Sequence, residues 1–217
     1  MRERIPMKLV LAVPLLALLI GCGATKSPDP LAGLAGPTDP SLYGFETDTQ
    51  GWTKPLAPSS STYQVLHSPG TSFYGSACMA LAVQQMSNID GTAGLVSKIF
   101  GVPVDLSGKT VTAWYYAPTN AQPSESIPTY AQLYMKDGAG KYANSPGVNM
   151  KGETWLQIVF SPVANNTGAD INSNGYYYDN GFNPSTIGEL GIKIAVNGSA
   201  PASFAFDGTF LIDSIHW

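Results

Sequence analysis

The feature that most constrains this chain is short alternation, repeatedly cut off by turn residues. Thr110–Ala117 sets Val111, Ala113, Tyr115 and Ala117 against Thr112, Trp114 and Tyr116, and stops at Pro118. Tyr130–Lys136 sets Ala131, Leu133 and Met135 against Tyr130, Gln132, Tyr134 and Lys136, and ends in Asp137-Gly138. Glu189–Asn197 places Leu190, Ile192, Ile194 and Val196 on one side, with Lys193 and Ala195 opposite. A period of two is the strand period, and the smaller or aliphatic set is predicted to face a core. Phe204–Trp217 reads as a hairpin turned at Asp207-Gly208. Ser76–Met86 is rich in helix formers, yet Met79, Leu81 and Val83 alternate, and the strand-like surroundings favour a strand. The expectation is an all-β chain forming an antiparallel β-sandwich. Residues 43–217 are predicted to be one domain with one core, without internal repeats.

The start of the chain reads differently. Arg2, Arg4 and Lys8 precede an apolar run from Leu9 to Ile20, broken at Pro14. That is the layout of a secretory signal, and it falls short of the ~20 residues a bilayer span needs. Its ending, Leu19-Ile20-Gly21-Cys22, resembles the lipobox of bacterial lipoproteins. The resemblance implies removal of residues 1–21 and acylation of Cys22. Gly23 at the next position implies, by the same resemblance, an extracytoplasmic protein of the bacterial envelope, anchored in the outer membrane. Residues 22–42 follow, rich in Pro, Gly, Ala and Ser, and read as a tether.

Both arginines lie before Cys22, so the expected mature chain has lysine alone, eight against fourteen acids. Phosphate recognition depends on Arg forks and basic surfaces, which argues against a nucleic-acid partner. With Cys22 acylated, Cys78 has no partner for a disulfide. Its neighbours, Ala77, Met79, Ala80 and Leu81, predict a buried, inert thiol.

Three stretches together resemble the jelly-roll carbohydrate-binding modules of the galactose-binding-like superfamily. They are Gly44-Phe45-Glu46-Thr47-Asp48-Thr49-Gln50-Gly51-Trp52, Asp105–Trp114, and Phe210-Leu211-Ile212-Asp213-Ser214-Ile215-His216-Trp217. Gly75-Ser76-Ala77, Thr154-Trp155 and Phe182–Ile187 fall between them in the expected order. The resemblance covers residues 43–217 and implies a jelly roll. It also implies a structural calcium ion held by Glu46 and Asp213, with backbone carbonyls near Gly75 and Ser76. Calcium takes several oxygen ligands. His67 and His216 have no paired ligand at zinc spacing.

The function expected from these residues is non-catalytic binding of a polysaccharide or oligosaccharide. Sugars offer C–H faces to aromatic rings and hydroxyls to polar side chains. If the two alternating runs are neighbours, Trp114 and Tyr116 join Tyr130, Gln132, Tyr134 and Lys136 on one outer face. Tyr176-Tyr177-Tyr178-Asp179-Asn180 reads as a polar loop at its rim, while Trp52, Trp155 and Trp217 read as core. A structural or protein-binding envelope lipoprotein, such as an adhesin or complex subunit, is the alternative. Activity on polysaccharide is less favoured. No compact pair of acids stands out, although Tyr134, Lys136 and His216 are conceivable lyase groups.

Overall fold

The computed structural model describes residues 42–55, 62–87, 94–121, 129–196, 200 and 204–217. The predicted signal, Cys22 and all of the tether before Leu42 lie outside them. The described residues form β1 (Thr62–Pro69), β2 (Ala77–Ser87), β3 (Gly94–Val104), β4 (Val111–Tyr116), β5 (Thr129–Asp137) and β6 (Tyr142–Asn144). They continue as β7 (Val148–Asn149), β8 (Trp155–Phe160), β9 (Ile171–Ser173), β10 (Tyr176–Tyr178), β11 (Ile187–Val196) and β12 (Ala205–His216). Two antiparallel sheets result. One has five strands, in the order β1-β2-β12-β4-β8. The other has seven, in the order β3-β11-β5-β6-β10-β9, with β7 also pairing with β5. The architecture is the expected β-sandwich.

Alternation fixes which side of each strand enters the core. Val111, Ala113 and Tyr115 of β4 are fully buried against Ala131, Leu133 and Met135 of β5 and Leu190, Ile192 and Ile194 of β11. Tyr115 spans the layers, its hydroxyl donating to the Val148 carbonyl at 3.0 Å. Residues 77–87 are a strand, as alternation predicted over propensity. Burial against two neighbouring strands outweighs a helix preference of well under ~1 kcal/mol per residue. Cys78 is buried, and burial first, then the nearby carboxylates of Asp213 and Glu46, push its thiol up to about 12.

Two expected elements differ. The predicted hairpin over 204–217 is the single strand β12, between β2 and β4. Asp207-Gly208 forms no turn but marks a register shift in the pairing with β2. The Phe206 ring fills the space that a Gly208 side chain would occupy, its Cζ 2.4 Å from an ideal Cβ. The glycine admits a ring instead of reversing the chain. Tyr176–Tyr178, read as loop, is β10: Tyr178 points inward onto Phe160 and Phe182, and Tyr177 points outward.

Candidate functional site

The two predicted halves of the binding face do not meet. Trp114 and Tyr116 lie on β4 in the five-stranded sheet, and Tyr130, Gln132, Tyr134 and Lys136 lie on β5 in the seven-stranded sheet. Each set does point away from the core, so the predicted register is right. Because the strands belong to different sheets, the two sets occupy opposite outer surfaces.

On the five-stranded sheet, β4 and β8 pair Trp114 with Gln157 and Tyr116 with Trp155. Trp155, expected in the core, is therefore an outer residue, its ring 5.6 Å from that of Tyr116. The Phe73 ring lies flat on Trp114, with centroids 3.9 Å apart and planes 13° apart. It is also 5.9 Å from Trp155. Phe73 stays there because Asp213 Oδ2 accepts the backbone N–H groups of Phe73 and Tyr74 at 2.8 and 3.0 Å. Asp213 Oδ1 accepts the Ser214 N–H at 2.7 Å. Glu46 holds the far end of the same loop, accepting the Ser76 N–H and hydroxyl at 2.9 and 2.7 Å.

The predicted calcium ligands thus converge on the loop between β1 and β2. Gly75, at φ +72°, leaves the space that the Glu46 carboxylate occupies. Two carboxylates on one loop are a hard-oxygen donor set of the kind calcium takes. Among the described residues no group of three or more His, Cys, Asp and Glu could hold a metal, so a cation here would also need loop carbonyls. Phe45 and Ser214, next to the two acids, both adopt left-handed backbone, at φ 55° and 50°. Such strain costs about 1–3 kcal/mol per residue and persists only where the surroundings enforce it. Of the two histidines, His216 bonds the Thr112 hydroxyl at 3.0 Å.

The outer surface of the seven-stranded sheet is built otherwise. Pairing sets Lys136 between Glu189 and Tyr142, and Tyr134 between Gly191 and Asn144, with Tyr177 beyond Asn144. Tyr134 lies down across the sheet. A Cβ at Gly191 would stand 2.3 Å from its Cζ, so the missing side chain makes room for the ring. Its hydroxyl donates to Glu189 Oε1 at 2.9 Å, and Lys136 Nζ donates to Glu189 Oε2 at 2.8 Å. Tyr134 is consequently 3% exposed, a correction to its predicted role as an exposed contact. It acts instead as a floor on which Tyr142 stacks, at 5.8 Å and 22°. Tyr142 in turn meets Tyr177 at 6.1 Å. Tyr130 rests over Gly147, and Gln132 donates to the Ser145 carbonyl at 2.9 Å.

Tyr130, Gln132, Lys136, Tyr142 and Tyr177 are all partly exposed, so rings and polar groups alternate across β5, β6 and β10. The carboxylates of Asp179 and Asp170, with burial between them in weight, push the Tyr177 hydroxyl up to about 12. Burial does the same to Tyr142 and Tyr134, beyond that value. All three hydroxyls are therefore protonated at neutral pH, able both to donate and to accept. Tyr142 and Gly191 were not among the predicted residues. A glycine inside the apolar alternation of β11 is the signal that a ring approaches there.

No protein-family model matches this sequence, and no curated protein matches it. Among solved structures, a carbohydrate-binding module of the β-sandwich superfamily, described as promiscuous in specificity, aligns at TM-score 0.54 and 16% identity. The alignment covers 82% of this chain and 62% of that one, so this chain spans less than two thirds of its length. A module specific for non-crystalline cellulose aligns at TM-score 0.46 and 17% identity, covering 81% and 92% of the two chains. A family 11 module of a cellulosomal cellulase from Clostridium thermocellum aligns at 0.49 and 12%, covering 83% and 94%. At such identities the first of these shows a shared β-sandwich fold, and function is a separate argument.

Proposed function

We propose that this chain is a non-catalytic carbohydrate-binding module, and that its glycan surface is the outer face of the seven-stranded sheet. One observation carries the choice of face: Phe73 already lies flat on the Trp114 ring that would stack on a sugar, while Tyr130, Tyr142 and Tyr177, in the same partly exposed range as Trp114, are set among polar side chains. Rings take the C–H faces of sugars, and Gln132, Lys136 and the tyrosine hydroxyls take their hydroxyl groups. The carbohydrate-binding modules sharing the sandwich support the ligand class.

Sugars give up good hydration on binding, so dissociation constants from about micromolar to millimolar are expected, ~−4 to −8 kcal/mol. A glycan-array screen identifies the ligand, and calorimetry of variants tests the face. Tyr177→Ala and Tyr130→Ala should each lower affinity about tenfold, ~1.4 kcal/mol, and Trp114→Ala by less than about twofold. The reverse ranking would move the site to the other sheet. Absence of any glycan binding would leave the envelope adhesin or complex subunit as the better account.

Anchoring is part of the same proposal. The lipobox resemblance supports an extracytoplasmic module of the bacterial envelope, held in the outer membrane by an acylated Cys22. Cys22→Ser should abolish acyl labelling; persistent labelling would refute the anchor. Calcium at Glu46 and Asp213 is proposed on the donor set. Free calcium at a hundredfold excess over its dissociation constant should then stabilise the protein by about 2.7 kcal/mol. Identical melting curves with calcium and with chelator would count against it.

A further inference from the structure

The strand ends nearest Leu42 carry an unusual share of exposed apolar side chains. Tyr43 pairs with Ile215 at the end of β12, and its ring lies 5.8 Å from Trp217, which in turn lies 6.1 Å from Phe100. Phe100 belongs to the last part of β3, where pairing with β11 shifts register and Ile99 and Val102 face solvent. β3 and β11 meet here as Val104 and Ile187, and β4 and β8 as Val111 and Phe160, so both sheets end on this side. Just beyond, Val163 and Lys109 line a shallow groove of about 390 Å³. Leu42, Ile99, Val102 and Val163 are 54, 63, 78 and 57% exposed. Scattered exposed apolar residues are ordinary, but a group of them at one end of a domain marks a contact surface.

What meets this end is set by where the chain goes. Leu42 leads back to Cys22, twenty residues upstream. A coil of twenty residues spans about 25 Å r.m.s., and β2 and β5, at 11 and 9 residues, are each about 30 Å or longer. An acylated Cys22 therefore favours this end, over the opposite one where β8 begins, on the side of the bilayer.

We infer that this end of the sandwich is a membrane-contact surface, with Leu42, Ile99, Val102 and Val163 entering the lipid interface. Lys109, beside Val163, is balanced by the exposed Asp105. The inference rests on the anchor reading given above. Aliphatic side chains gain by leaving water at an interface, and a second weak contact adds to a lipid anchor because the anchor has already brought it close.

The test uses the full lipidated protein in vesicles of phosphatidylethanolamine and phosphatidylglycerol. A nitroxide is placed on Val102→Cys, with Lys151→Cys at the opposite end as reference; the native Cys78 is buried. Collision rates with oxygen and with a water-soluble nickel chelate locate each label. The label at 102 should favour oxygen over nickel by several-fold more than the label at 151. Adding Ile99→Asp and Val163→Asp to the Val102→Cys protein should return its label to the aqueous ratio.

Equal ratios at the two positions overturn the inference. So does spin–spin broadening at 102 that vanishes on dilution, which would show a contact between copies. Acyl labelling of the same preparation reports on the anchor separately. If it is absent, the anchor reading fails, and the label is read after adding the same vesicles to the unacylated protein. An aqueous label there would overturn the membrane contact as well.

Discussion

The two outer faces of this sandwich are made from similar residues and arrive at different surfaces. Both carry aromatic side chains at alternate positions of a strand that has a neighbour on each side. On β4 the rings stand out and are met by a ring from elsewhere, because Asp213 and Glu46 hold the 73–76 loop over them. On β5 the ring of Tyr134 lies down, because Gly191 on the neighbouring strand leaves it room. A standing ring that is capped stays partly exposed but has its outer face already taken. A reclining ring becomes the floor under Tyr142 and leaves the polar groups around it open to a ligand. Aromatic content does not separate these cases. What separates them is one glycine on an adjacent strand and one acid that captures a loop.

The largest expected effect tests the cap. Asp213 is fully buried and accepts three backbone N–H groups. Asp213→Ala leaves those donors without their acceptor and should destabilise the protein by about 3–5 kcal/mol, measured by urea unfolding. Tryptophan fluorescence should shift as Phe73 leaves Trp114. An unchanged midpoint would mean the loop does not depend on this acid.

Next is the floor. Gly191→Val places a side chain where the Tyr134 ring lies, and crowding of this kind costs about 1–3 kcal/mol. Glycan affinity should fall at least about tenfold while the variant stays folded at low temperature. Intact binding with Tyr134 displaced would show that the floor is irrelevant to recognition.

Phe73→Ala sharpens the contrast directly. It should cost about 1–2 kcal/mol of stability and uncover Trp114. If the faces differ as argued, it confers no new glycan affinity. A gain of binding would mean that Phe73 alone keeps the five-stranded face from acting as a sugar platform.

The smallest effect is electrostatic. Burial raises the Glu189 carboxyl, but hydrogen bonds from Lys136 and Tyr134 outweigh it and hold the group below its ordinary 4.5. A folded carboxyl held below its unfolded value contributes stability above the unfolded value and loses it as pH falls through the folded one. Stability should therefore decline below about pH 4.5 by ~0.5–1 kcal/mol, since Lys136 is partly in solvent. Glu189→Gln should flatten that decline in acid titration. An unaltered acid limb would assign the loss to other carboxylates.

Much of the fold was legible in the sequence because alternation is a local property. Val111, Ala113, Tyr115 and Ala117 announce their buried side without knowledge of what covers it, and so do Ala131, Leu133 and Met135. The partners of each strand were not legible, since pairing is settled by contacts between distant residues. That is why alternation alone makes β4 and β5 look like neighbours and their rings like one site. Asp207-Gly208 looked like a turn for the same reason: a glycine that admits the Phe206 ring and one that reverses the chain are the same letter. Resemblance alone links Glu46 with Asp213, and their convergence on the 73–76 loop is seen only in three dimensions.

The pairing of Tyr43 with Ile215 has a mechanical consequence. Its two hydrogen bonds, each 3.1 Å, join the first described strand-like residue to the end of β12, which lies inside the five-stranded sheet. Tension arriving along the segment before Leu42 is therefore handed first to an interior strand and not to a sheet edge. A second hold follows at Thr53, whose two bonds to Ser97 of β3, each 2.9 Å, attach the same segment to the other sheet. A load pulling on the leading segment, with the domain gripped from outside, would have to break these attachments in series before it reached the rows of tyrosines on β5, β6 and β10.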